Sequence, residues 1–396
     1  MAAQRIPRVI WILGLASLCM DLSSEMIHSL LPVFLVSVLG TGAEALGLIE
    51  GVAEATASIA KVFSGVWSDH LGRRKPLVVF GYGLAALAKP LFPLATSASA
   101  VLVARFADRL GKGIRGAPRD ALVADVTPPE LRGAAFGLRQ ALDTLGAVLG
   151  PLVAIGLMAA LAGNIRAVFW FAVLPAWAAV ALLVVGIREP AEHEPTDGRP
   201  ARTLPHWRDL RQLSAAFWTV VVIGAVFTLA RFSEAFLILR AHDAGLSLAW
   251  TPLALVVMNL TYVASAYPAG KLSDRAGRVG LLALGLALLI VADVILALGT
   301  QLGVTLVGIA IWGLHLGLTQ GLLAAMVADT APTNLRGSAF GVFYLVGGVA
   351  TLVASLLAGV LWESAGPPMT FVAGAAFAAV ALAGLAWWRL RFARRQ

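Results

Sequence analysis

Long apolar runs recur along this chain from end to end, and that recurrence constrains its fold more than any other feature. A helix needs about 20 such residues to cross the hydrocarbon of a bilayer. Twelve runs qualify: 9–39, 45–68, 76–95, 98–126, 132–160, 165–187, 214–240, 248–272, 278–299, 303–331, 335–362 and 368–390. A transmembrane barrel would instead show alternating segments of about 10 residues. The expectation is an all-α integral membrane protein with twelve transmembrane helices. Composition agrees, since 59% of the 396 residues are hydrophobic and 13% are charged, against about 25% charged in an average soluble domain. Such a chain lacks the polar surface to cover a soluble globule. That excludes a cytosolic enzyme, a disordered chain and a nucleic-acid-binding module, whatever the net charge of +8 suggests.

The basic residues collect in alternate loops. One set holds Arg5 and Arg8, then Arg73, Arg74 and Lys75, then Arg132, then five arginines between Arg188 and Arg211. It continues with Arg275 and Arg278, Arg336, and the four arginines from Arg389 to Arg395. The opposite loops are nearly bare, with Glu44, Arg166, Arg240, Asp243, Gln301 and Glu363. Positive loops stay on the cytoplasmic side, so the expectation is a multi-pass protein of the cytoplasmic (inner) membrane with both termini cytoplasmic. The first run is too long for a signal peptide and no small-residue cleavage site ends it. The one long polar stretch reads as a linker, 188–213, joining an N-terminal half, 1–187, to a C-terminal half, 214–396. Cys19 is the only cysteine, so no intrachain disulfide forms.

The halves are copies. The segment from Ala124, ADVTPPELRGAAFG, returns from Ala328 as ADTAPTNLRGSAFG at an offset of 204, and GVWSDHLGRR from Gly65 returns from Gly270 as GKLSDRAGRV at an offset of 205. Each copy holds an even number of spans, so both enter from the same side. That is a parallel repeat about an axis along the membrane normal: two pseudo-symmetric six-helix bundles around a central cavity.

Over its whole length the chain resembles the major facilitator superfamily of transporters. Gly65, Asp69, Gly72, Arg73, Arg74 and Lys75 match the family's loop between spans 2 and 3, with His70 where Arg or Lys is usual. The repeat supplies Asp274 and Arg278 in the second copy. Gly137, Gly146, Gly150 and Pro151 match a span 5 glycine pattern that resembles the mark of proton-driven drug antiporters. The later glycines of that pattern are replaced by Leu152, Val153 and Ala154. The resemblance implies alternating access, a cavity lined by spans 1, 4, 7 and 10, and a cytoplasmic gate built from the loop residues.

Charge at bilayer depth is costly and must face a partner or water. Spans 1, 2, 4, 5 and 7 hold most of it. Spans 3 and 9 have only Lys89 and Asp293, and with spans 6, 11 and 12 are expected to border lipid. Asp21, Glu25 and His28 fall within about 60° of one another on span 1. Arg105, Arg109, Lys112, Arg115 and Arg119 form a cationic ladder on one face of span 4. Asp108 and Asp120 neutralise part of it. Asp21 and Glu25, with Asp143, Glu50 and Glu54, are the expected partners of its deeper members. Arg105 aligns with the arginine of the superfamily's span 4 motif, and Arg109 stands where that motif has glycine.

Two readings of this charge stay open: a salt-bridge network that holds the helices together, or carboxylates that change protonation during transport. The second assigns proton coupling to Asp21, Glu25 and Arg105, and substrate contacts to His28, Arg109, Lys112, Asp143, Arg231, Glu234, His315 and Gln320. The function expected is proton-coupled export of a small organic solute by a monomer that needs no cofactor. The alternative is movement of an organic anion, a metal chelate or a divalent metal, with Asp21, Glu25 and His28 as possible metal ligands. No G-x-S-x-G, H-E-x-x-H or Walker loop is present, so neither an enzyme nor ATP drive is expected.

Overall fold

A computed structural model describes residues 7–71, 74–128, 131–187, 213–276, 278–319, 322–331 and 335–391, and these are helical with short turns. In chain order the helices are α1 (Arg8–His28), α2 (Leu31–Val33), α3 (Ala43–Leu71), α4 (Lys75–Ala88), α5 (Leu91–Leu94) and α6 (Ala98–Asp125). Then come α7 (Arg132–Ala160), α8 (Ile165–Gly186), α9 (Ala215–Leu229), α10 (Ala235–Asp243) and α11 (Leu253–Ala276). The last are α12 (Arg278–Leu298), α13 (Leu302–Thr319), α14 (Leu322–Thr330), α15 (Arg336–Ala365) and α16 (Pro367–Arg391). A π-helical turn, Phe34–Val38, follows α2. Among the described residues nine stretches are long and apolar enough to cross a bilayer. Helix α9 is apolar but shorter, whereas α3 and α6, at 29 and 28 residues, carry more charge. The proposed linker lies almost wholly outside the described residues.

Among the described residues three expected runs are interrupted within their length. The first breaks between α1 and α2, ahead of Pro32, and the third between α4 and α5, at Pro90. A proline has no N–H to continue the helical ladder. The seventh opens at 230–234 without a proline. Polar groups satisfy the freed backbone there, with the Ala235 N–H donating to Ser233 Oγ at 3.3 Å, which is how a broken membrane helix is tolerated. Three helices begin on side-chain caps: Ser97 for α6, Asn164 for α8 and Ser214 for α9 each accept an N–H three residues on. Such a cap satisfies one of the four orphan donors at a helix start.

The chain divides into two compact units, one of Met1–Phe34 with Thr56–Thr203 and one of Leu35–Ala55 with Leu204–Gln396. In the first, α1 packs on α7 and α8, and α4 packs on α6 and α8. In the second, α9 packs on α15 and α16, and α12 packs on α13 and α16. The neighbour relations of one unit therefore recur in the other, as the sequence repeat requires. The start of α3 belongs to the second unit, where the Ala43 N–H donates to Glu363 Oε2 at 2.9 Å.

Candidate functional site

In the first unit the span 5 glycines have a definite use. A Cβ on Gly146 would stand 2.7 Å from Leu18 O and 3.1 Å from Asp21 Cβ, and one on Gly150 would stand 2.6 Å from Glu25 Cβ. The glycines let the α7 backbone lie against α1 at the level of its two carboxylates. Gly137 has open space around its Cβ position and plays no such part.

Asp21 lies beside Asp143 of α7 and within the field of Lys112, Arg115 and Arg119 of α6. Glu25 Oε2 is 3.5 Å from His28 Nδ1, and Arg109 and Lys112 act on it. Arg119 donates to Ser17 Oγ at 2.9 Å and stands 3.7 Å from Asp143. Arg139 donates to Asp143 at 2.9 Å and stands 3.7 Å from Asp120. Ser17 and Tyr82 share a hydrogen bond of 2.9 Å, and the Arg115 guanidinium lies over the Tyr82 ring. The acids of α1 and α7 thus meet the ladder of α6 in one contiguous network.

Arg105 belongs to a different part of that network. It is 1% exposed, and its Nη1 is 4.0 Å from Asp108. Asp108 also takes Lys89 Nζ at 2.8 Å, and Lys89 donates again to Ser24 Oγ at 2.9 Å. Spans 3 and 9 do present apolar side chains outward, among them Phe80, Leu87, Leu284 and Val291. Their single charges turn the other way: Lys89 and Asp293 are buried. Arg105, expected to look to Asp21 or Glu25, stands beside this Lys89–Asp108 pair. The sequence held a signal for it, because a lone lysine in an apolar run must find an acid. Glu50 accepts from Ser233 at 3.3 Å, within the second unit.

The second unit has its own polar group at the break before α10. Arg231 lies over the Phe227 ring and within the field of Glu234 and Tyr262. His315 Nδ1 bonds the Gly285 carbonyl at 2.7 Å, and its Nε2 has no hydrogen-bond partner among the described residues. Gln320 lies outside the described residues. A cavity of about 570 Å³ between α11 and α13 is lined by Pro268, Ala310, Ile311 and Leu314. Its hydroxyls, on Thr261 and Ser265, are spent on their own helix backbone. It offers a ligand no polar recognition and holds none of the expected site residues. Among the described residues no three His, Cys, Asp or Glu side chains are placed to hold a metal.

Of the loop residues, Gly72 and Arg73 and the side chains of Asp69 and Asp274 lie outside the described residues. Gly65 sits on α3, where an added Cβ would stand 3.4 Å from Ala117 Cβ of α6. Arg74 Nε donates to Asp125 at 3.3 Å and its Nη1 to Ser68 at 2.6 Å. Arg278 pairs with Asp329. The two arginine–aspartate clips stand at equivalent places in the repeat.

Helices with bare apolar outer faces and inward-turned charge define a multi-pass membrane protein. The chain belongs to the major facilitator superfamily, whose profile matches residues 13–350 and 232–395. This is a family of transporters. The chain is 31% identical over 385 residues to an uncharacterised transporter of that type from Methanocaldococcus jannaschii, covering 95% of this chain and 94% of the relative. It is 32% identical over 127 residues to the multidrug resistance protein MdtH of Photorhabdus laumondii, covering 32% of this chain and 31% of that one. The fold is similar to that of a bacterial homologue of the human lysosomal transporter Spinster, with a TM-score of 0.77, 15% identity and 99% of both chains covered.

Proposed function

We propose that the protein is a proton-coupled carrier that exports a small organic solute by alternating access. It would sit in the cytoplasmic membrane as a monomer of twelve spans, in halves 1–187 and 214–396, with both termini cytoplasmic. Asp21 and Glu25 take up and release the proton, and the α6 cations compete with it. The observation that carries this reading is the backing of both carboxylates by Gly146 and Gly150 beside Lys112. Two acids on one stripe, fixed at their stems and set among cations, can trade a proton for a rearranged ion pair. The partial likeness to MdtH supports export. The loop residues around Asp69 and Arg74 act as the cytoplasmic latch, and Arg231, Glu234 and His315 shape the pocket.

A second reading, transport of an organic anion or metal chelate, is supported by the buried excess of cations on α6. One experiment separates the readings. Purified protein is reconstituted into vesicles with an imposed pH gradient and challenged with cationic, zwitterionic and anionic solutes. Gradient-driven accumulation of a cation or zwitterion, abolished in Asp21→Asn and Glu25→Gln, is the expected result. Full accumulation in both variants sinks the coupling assignment. Accumulation of anions alone turns the reading to the second.

A further inference from the structure

The second unit contains a carboxylic acid that the transport reading does not use. Asp293 of α12 is 0% exposed, and neither of its oxygens has a hydrogen-bond partner among the described residues. It lies in a cradle made by another glycine. A Cβ on Gly374 of α16 would stand 2.6 Å from Asp293 Oδ2 and 3.0 Å from the Phe232 ring. Phe232 belongs to the 230–234 break, and it stacks edge-on against Phe236 and Phe371.

The repeat sharpens the contrast. At the offset of 204, Arg74, Gly81, Lys89, Asp108 and Asp125 correspond to Arg278, Gly285, Asp293, Trp312 and Asp329. The structure supports that register, because Gly81 closes on Gly111 and Arg115 while Gly285 closes on His315 and Thr319, the same offset away. The first unit fills this place with an ion pair, Lys89 to Asp108. The second unit has an acid in the lysine's place and Trp312 in the acid's place, and the Trp312 Nε1 is itself buried without a hydrogen-bond partner among the described residues.

Among the described residues, the charged and titratable groups on the surrounding elements are committed elsewhere or remote. From α13 comes His315, bound to Gly285 O. From α11 comes Tyr262, in the field of Arg231 and Glu234 at the break, while the side chains of Lys271, Asp274 and Arg275 on that helix lie outside the described residues. Arg240 of α10 is spent on the carbonyls of Leu296 and Gly299, and His242 of the same helix bonds Leu246 O. Asp243 ends α10, Asp329 of α14 pairs with Arg278, and α16 has no ionisable residue before Arg389. An ionised carboxylate in such a place would have neither solvent nor counter-ion.

We propose that Asp293 is a proton-binding site of the second unit, a neutral acid standing where the first unit has the lysine of an ion pair. It makes the packing of α12 against α16 and the helix break sensitive to alkaline pH, and it stands apart from the coupling assigned to Asp21 and Glu25. If the folded chain holds this proton and the unfolded chain releases it, stability falls as pH rises.

The test uses the full chain in lipid vesicles. The infrared difference between wild type and Asp293→Asn should show a protonated-carboxyl C=O band at neutral pH that moves in deuterium oxide. If the asparagine variant does not fold, Asp293→Glu serves, and the band should shift to the glutamic acid frequency. Thermal unfolding of wild type should weaken from neutral to alkaline pH, and Asp293→Asn should lose that dependence. A difference spectrum with carboxylate bands only, or the same alkaline weakening in wild type and Asp293→Asn, overturns the proposal. Because neither readout involves transport, failure here leaves the coupling reading untouched, and the reverse holds too.

Discussion

Single residues in the first unit show how position outweighs type. Gly137, Gly146 and Gly150 belong to one pattern, yet only the last two meet α1. Gly150→Ala should overpack the Glu25 contact and cost about 1–3 kcal/mol. Gly137→Ala, with open space and a helical backbone, should be neutral or stabilise by about 0.4–1 kcal/mol. Unfolding midpoints of the two variants in detergent check the contrast, and equal losses would remove the close-approach argument. The carboxylates and the cationic ladder were legible from helical spacing. Their pairing was not, because spacing fixes the face of a helix and says nothing of the neighbour across from it. Lys89 and Asp293 show the limit most clearly: a count of charge per span cannot reveal that the one charged side chain turns away from the lipid face of its helix.

Among the elements, the apolar runs located the helices well and their interruptions less well. Pro32 and Pro90 mark two of the breaks, but Pro118, Pro151, Pro175 and Pro268 sit inside unbroken helices, and the opening at 230–234 has no proline at all. There Ser233 makes a tertiary contact instead, donating to Glu50 of α3. Two arginines from the sparsely charged loops also gain a role only in the structure. Arg166 donates to the carbonyls of Pro93 and Ala95, and Arg240 to those of Leu296 and Gly299. Each satisfies orphan carbonyls at the end of a neighbouring helix. Arg240→Gln should lose about 1.5–3 kcal/mol, the worth of hydrogen bonds to a charged group. Arg240→Lys should recover part of it. Thermal unfolding of both variants tests this, and an unchanged midpoint in the glutamine variant would refute the capping role.

At the scale of the whole molecule, the tandem repeat was the strongest message in the sequence, and its offset changes by one residue within the loop between the second and third spans. At an offset of 205 Arg278 matches Arg73, but the clips match it to Arg74, because the second copy is one residue shorter between its aspartate and its arginine. Both clips are partly solvent-exposed, so each should contribute under about 1 kcal/mol to stability and weaken in salt. Asp125→Asn and Asp329→Asn should therefore leave unfolding midpoints nearly unchanged and slow turnover in vesicles. Normal turnover in the double variant would sink the latch. The clips also bear on descent. A bond found at matching places in two diverged copies is most simply inherited from the ancestral half-length gene, before its duplication. Each half would then have carried its own fastener from the start, and the asymmetric acids and arginines of the first unit would be later acquisitions on a symmetric frame.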